Sequence, residues 1–137
     1  IARMSSDLSL LAFDQRYMEL HLHSGAVDAG TLGWRFGPSA EGAELGRLAA
    51  AFNGGFRLSL VRRLESYGHV AVPLGSGLGS IATYADGYTD IGTWRGEVPP
   101  AGRPVASVRQ NLTPLIDHGT PASTAVRRLL GAPRSET

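Results

Sequence analysis

Two short segments gather the residues of this chain best suited to holding polar or anionic groups. The first is Leu48-Ala-Ala-Ala-Phe-Asn-Gly-Gly-Phe-Arg57 and the second is Val105-Ala-Ser-Val-Arg-Gln-Asn-Leu-Thr-Pro-Leu-Ile-Asp-His-Gly119. Together they contain both asparagines of the chain, Asn53 and Asn111, and one of its two glutamines, Gln110. In each, polar side chains and glycines follow an apolar run, the pattern by which a rigid strand presents functional groups at its end. Asn53, Gly54 and Gly55 suit a donor role, because two successive glycines let the backbone approach an anion and expose N–H groups as a nest. The same residues also read as a plain turn between strands, since Asn-Gly is a hairpin signal. Arg57 and Arg109 can pair bidentately with a phosphate, or can simply be solvated surface arginines. Strand alternation sets Arg109 and Asn111 on one face and Gln110 on the other. Gln110 is expected to point inward, sharing its face with Val108 and Leu112.

Other reactive groups are sparse. His21 and His23 alternate, so both can lie on one face of a strand and begin a metal site, but no third ligand is evident near them in sequence. Solvated or half-buried strand histidines are the expectation, with no metal. Asp86 is explained by the Asp86-Gly87 turn, whereas Asp90 sits in a strand arm, where aspartate is disfavoured, and invites a reason. Trp34 and Trp94 can stack on a sugar ring, with Trp94 expected in core or rim packing. Gly75-Ser-Gly-Leu-Gly79 has the glycines of a phosphate loop but neither its lysine nor its strand–helix context, and no Ser-His-Asp signature is present.

The elements that would position these groups are mostly strands. Residues 8–13 and 17–23 read as a hairpin about a turn at Asp14-Gln15-Arg16. Residues 24–40 read as loop, and 41–51 as a helix with Leu45, Leu48 and Ala49 on one face, passing near Arg47 into a buried strand that feeds the Asn53 turn. Residues 56–64 are ambiguous, 69–74 form a short strand and 75–79 a glycine-rich loop. The clearest hairpin is 80–94, with Asp86-Gly87 as a type I′ turn. Residues 95–104 are loop, 105–108 and 115–116 strands, 117–119 a turn, 124–130 a short helix and 131–137 a disordered tail. The fold class expected is a single α+β domain spanning 1–137, with a mostly antiparallel or mixed sheet and few short helices.

Composition narrows the function. At 137 residues the chain can bury a core as one domain. A formal net charge of +1 argues against a nucleic-acid or membrane-surface partner recruited by bulk charge. All thirteen basic residues are arginine, which points to a GC-rich coding sequence more than to phosphate binding. The absence of cysteine excludes disulfides and cysteine-based metal or redox chemistry. No run approaches the roughly 18 apolar residues of a membrane-spanning helix, and no signal peptide is visible. A first residue of Ile1 within an ordered-looking segment suggests a processed or excised piece.

The order of five segments resembles the phosphodiester glycosidase family, in its actinobacterial form. The matching segments are Leu22-His-Ser-Gly-Ala-Val-Asp-Ala-Gly30, the cluster 48–57, Ala71-Val-Pro-Leu74, the hairpin 80–94 and the cluster 105–119, across residues 8–120. The family includes an enzyme that removes N-acetylglucosamine from a sugar phosphodiester. The resemblance therefore implies hydrolysis of a sugar-1-phosphodiester by an extracytoplasmic or cell-envelope protein, without a cofactor. In such a reaction the leaving group is a phosphomonoester, so a strong general acid matters less than in ordinary glycosidases. Donors for the phosphate and a carboxylate for the oxocarbenium-like centre are still needed. On this resemblance Asp117 and Asn53 are the catalytic candidates, and Gly54, Gly55, Arg57, Arg109 and Gln110 the substrate-binding ones. Asp117 is otherwise the first residue of a tight turn.

Two departures stand against the pattern. Residues 60–68 are shorter than, or altered from, the family's glycine- and tyrosine-rich passage. The family's later Arg-Thr/Ser-Ala-x-Gly and Asn-x-Asp-Gly-Gly-Gly-Ser motifs do not occur. An incomplete family domain is expected, with one wall of the site in this chain and an exposed sheet edge that favours self-association. The alternative reading is a non-catalytic carbohydrate- or phosphate-binding module.

Overall fold

The computed structural model describes residues 2–3, 9–25, 35–54, 64–66 and 68–122. The expected helix at 124–130 and tail at 131–137 lie outside the described residues, as do Trp34, Gly55 and Arg57. The architecture is α+β with very few helical residues. Its strands are β1 (Ala2–Arg3), β2 (Ser9–Leu10), β3 (Leu64–Ser66), β4 (His69–Val72), β5 (Gly79–Tyr84), β6 (Thr89–Thr93), β7 (Val105–Gln110), β8 (Ile116–Asp117) and β9 (Thr120–Pro121). Among the described residues there is one helical turn, α1 (Gly42–Leu45), which precedes β3.

The central sheet has five strands in the order β4-β3-β7-β5-β6, all paired antiparallel. Two-stranded ladders β1-β2 and β8-β9 stand apart from it. The expected hairpin at 80–94 forms, but its turn is not type I′. Tyr84 O accepts from Gly87 N–H at 3.0 Å, and of the loop residues only Gly87 has positive φ, at 86°. That is a type I turn closed by a glycine bulge, and it keeps Asp86 in ordinary backbone geometry. Asp86 Oδ1 then accepts from Tyr88 N–H at 3.0 Å. The turn with two positive φ values is instead at His118 (46°) and Gly119 (76°), joining β8 to β9.

Alternation along β5 and β7 divides the sheet into two faces. Ala82 lies opposite Val108, and Ser80 opposite Gln110, all four buried. With Tyr84, Trp94 and Val98, Ala82 and Val108 form the core cluster, and Leu74 and Val105 pack against it. Val98 reaches this face because the chain folds back after β6: Thr93 O accepts from the N–H groups of Gly96, Glu97 and Val98. The fold-back passes so close to Gly92 that a Cβ there would lie 2.8 Å from Glu97 Cβ and 3.2 Å from Val98 Cγ1.

Two expected elements do not form. Residues 17–23 are not a strand; the turn at Asp14–Tyr17 is present, but the chain beyond it is irregular. The edge of β6 is met there by a side chain, not a backbone. Gln15 Nε2 donates to Thr89 O at 2.9 Å and Gln15 Oε1 accepts from Thr89 N–H at 2.7 Å. The helix expected over 41–51 closes after one turn, and 49–52 is not a strand. One turn fixes several dihedrals for one hydrogen bond, so a helix this short persists only with tertiary support. Here no residue of α1 is buried, Leu45, Leu48 and Phe52 are exposed, and glycines 42 and 46 bracket the turn.

Candidate functional site

Strand β7 positions the second polar cluster. Its last two residues point to opposite faces, as alternation requires. Gln110 is fully buried, as expected, but its amide is engaged by the fold itself. Gly75 N–H donates to Gln110 Oε1 at 2.7 Å, while Gln110 Nε2 donates to Gly75 O at 2.9 Å and to Ser80 Oγ at 3.0 Å. Both amide protons and the carbonyl are thus committed to joining the loop at 75 to the sheet. Leu112 does not share this burial; it lies past the end of β7 and is exposed.

Arg109 occupies the other face, half-buried, where Leu64 and Ile81 are its register partners. The first polar cluster arrives here. A Cβ placed on Gly54 would lie 3.5 Å from Arg109 Cγ, so the Gly54 backbone rests on the aliphatic stem of Arg109. Two segments separated by more than fifty residues in sequence therefore meet at one arginine. Asn53 is exposed beside that contact. Asp117 ends β8, paired through its backbone with Thr120, after the short link that follows β7. Asn111 Oδ1 accepts from Leu112 N–H at 3.0 Å, and its N–H donates to Gly79 O, which closes the start of that link.

A second polar centre lies at the tip of the β5–β6 hairpin. The Arg103 guanidinium stacks over the Tyr84 ring at 3.9 Å and lies 5.0 Å from Tyr88. It donates to Asp86 Oδ2 at 2.8 Å and lies 3.7 Å from Asp90 Oδ2. Asp90, odd in a strand by composition, thus has its reason in Arg103. The Tyr88 N–H foremost, and then Arg103, hold the Asp86 carboxyl below its ordinary range. The Tyr84 hydroxyl is buried without a hydrogen-bond partner among the described residues. Burial first, and the Asp90 carboxylate second, push its pKa up to about 12.

The two histidines meet a third group. Glu44, on α1, brings Oε1 to 2.5 Å from His21 Nδ1 and 3.2 Å from His23 Nε2. The hydrogen bond with His21, aided by His23, keeps the Glu44 carboxyl below its ordinary range despite partial burial. No spacing rule links residues 21 and 23 to 44; the sequence offers only the two acidic residues of the predicted helix, Glu41 and Glu44, as a signal. A cleft of about 340 Å³ adjoins this cluster, lined by Glu19, His21, Phe36, Tyr84, Asp86 and Gly87 among others.

Comparison with family models, curated proteins and solved structures finds no match to this chain.

Proposed function

We propose that this chain contributes to a site for a sugar-1-phosphodiester in a phosphodiester-glycosidase-like hydrolase. The observation that carries the reading is the apposition of Gly54 and Arg109, which joins the two clusters that support the resemblance. An arginine stem against a glycine brings together two kinds of group that suit a phosphodiester: a guanidinium able to pair bidentately and a stretch of main chain without a side chain at Gly54. In this reading Arg109 and the Asn53-Gly54 backbone hold the phosphate and an adjoining sugar hydroxyl. The Asp117 carboxylate supports the anomeric centre as the phosphate departs, and the departing phosphomonoester needs little acid assistance. Gln110 serves by bracing the strand that carries Arg109.

The test is incubation of the protein with a glycosyl phosphodiester and quantification of released sugar. Release that is lost in Arg109→Met supports the proposal. A ligand-induced rise in melting temperature without release supports the binding-module alternative. Neither release nor a thermal shift refutes both.

A further inference from the structure

We infer that His21, His23 and Glu44 form a binding site for a divalent first-row transition metal ion of the zinc type. The three side chains come from two separate segments, and their ligand atoms all lie within 4.8 Å of one another. Their far atoms make the stronger argument. His23 Nδ1 lies 2.9 Å from Gly37 O, and a carbonyl can only accept, so Nδ1 carries a proton and Nε2 is the nitrogen left facing Glu44. His21 sets its two nitrogens between carboxylates in the same way, with Nε2 3.4 Å from Glu19 Oε2 on the outer side and Nδ1 2.5 Å from Glu44 Oε1 on the inner side. Two imidazole nitrogens and a carboxylate oxygen thus converge on one point. A cation holds such a trio together, either protons on the rings or a metal ion in their place.

The outer contacts match those of metal-ligating histidines, whose second nitrogen donates to a carboxylate or backbone carbonyl and thereby fixes the tautomer and ring orientation. Phe36 adds a further constraint, stacking on His21 at 4.2 Å and 11° and tilting against His23 at 5.7 Å. Two nitrogens and one oxygen are borderline donors, which favours zinc, cobalt or nickel over magnesium or calcium. Ligand atoms at about 2.0–2.1 Å from a tetrahedral ion stand about 3.3–3.4 Å apart. The His23–Glu44 separation of 3.2 Å already fits, and the His21–Glu44 separation of 2.5 Å must widen to admit the ion. Three protein ligands leave a fourth position for water, the arrangement of catalytic rather than structural sites.

The experiment is Co²⁺ titration of the metal-stripped protein, followed by visible absorption and by displacement with Zn²⁺. One saturable Co²⁺ site per chain is expected, displaced by Zn²⁺. His21→Ala, His23→Ala and the size-conserving Glu44→Gln are each expected to weaken binding by at least about tenfold, and Glu19→Ala by about 10- to 100-fold through loss of the outer contact. His118→Ala, on an exposed turn elsewhere, is expected to leave affinity unchanged, and far-UV circular dichroism verifies that each variant is folded. Absence of saturable binding, or binding that folded His23→Ala and Glu44→Gln both retain, would overturn the inference. Since metal binding is read directly, its outcome is independent of whether the protein releases sugar.

Discussion

Replacing Gln110 separates a structural role for this residue from a ligand-binding one. Gln110→Leu keeps the approximate volume and removes three hydrogen bonds, at 2.7, 2.9 and 3.0 Å, from a side chain with no solvent exposure. A hydrogen bond contributes about 1 kcal/mol net, and leaving a buried donor or acceptor unpaired costs about 1–3 kcal/mol. Gly75 is only partly buried, so water can recover some of the loss at its N–H and carbonyl. The expected destabilisation is therefore about 2–4 kcal/mol, a large share of the roughly 5–15 kcal/mol that holds a domain together. Urea unfolding, with the slope checked against wild type, measures it. Gln110→Glu sharpens the test. Its carboxylate still accepts from Gly75 N–H but faces Gly75 O and Ser80 Oγ with no proton of its own to donate, and protonation restores one donor. That variant should gain stability, relative to wild type, as pH falls through the carboxylate range. Gln110→Leu within about 0.5 kcal/mol of wild type, less than a single net hydrogen bond, would refute the clamp.

Three further expectations follow from the same geometry. The folded-state pKa of Tyr84, about 12 against an ordinary 10.0, means the native state holds its proton more tightly than the unfolded chain. This contribution is fully present below pH 10 and is lost as pH rises toward 12, by about 2–3 kcal/mol at most, and Tyr84→Phe should flatten that slope in alkaline denaturation. Gly92→Ala should cost about 1–3 kcal/mol, because its Cβ would collide with Glu97 and Val98 in the fold-back over the core; a melting temperature equal to wild type would show that the loop yields freely. Gln15→Ala should free the Thr89 N–H and carbonyl on the β6 edge, where Ile91 is 78% exposed, and raise the apparent mass in light scattering. Unchanged mass at all concentrations would rule out that edge as a route to self-association.

Sequence reading reached the parts of this molecule that local pattern controls. The 80–94 hairpin, the strand at 69–72 and β7 follow from β-branched alternation and turn residues, and the inward side chain of Gln110 follows from strand period alone. Where the outcome depended on a distant partner, it did not. The helix at 41–51 had the right apolar spacing, but spacing cannot supply the surface that a short helix must bury against. The alternation at 17–23 was real, yet the neighbouring strand edge is satisfied by the Gln15 amide. The site divided in the same way. That Arg109 and Gln110 oppose each other was legible; that Gly54 lies on Arg109, that Gln110 clasps Gly75, and that Glu44 completes a pair of histidines all depend on folding. The type I′ geometry assigned to Asp86-Gly87 falls instead at His118-Gly119, because a glycine bulge lets the first turn close with only one residue at positive φ.

The central claim is that Arg109, seated against Gly54, faces the phosphate of a glycosyl phosphodiester. Sugar release by wild-type protein and by Arg109→Met, compared as kcat/KM, tests it most directly. Loss of a charge-assisted pair worth about 1.5–3 kcal/mol predicts a fall of roughly 10- to 100-fold in a variant whose urea midpoint is unchanged. Equal release by wild type and a folded Arg109→Met would contradict the claim.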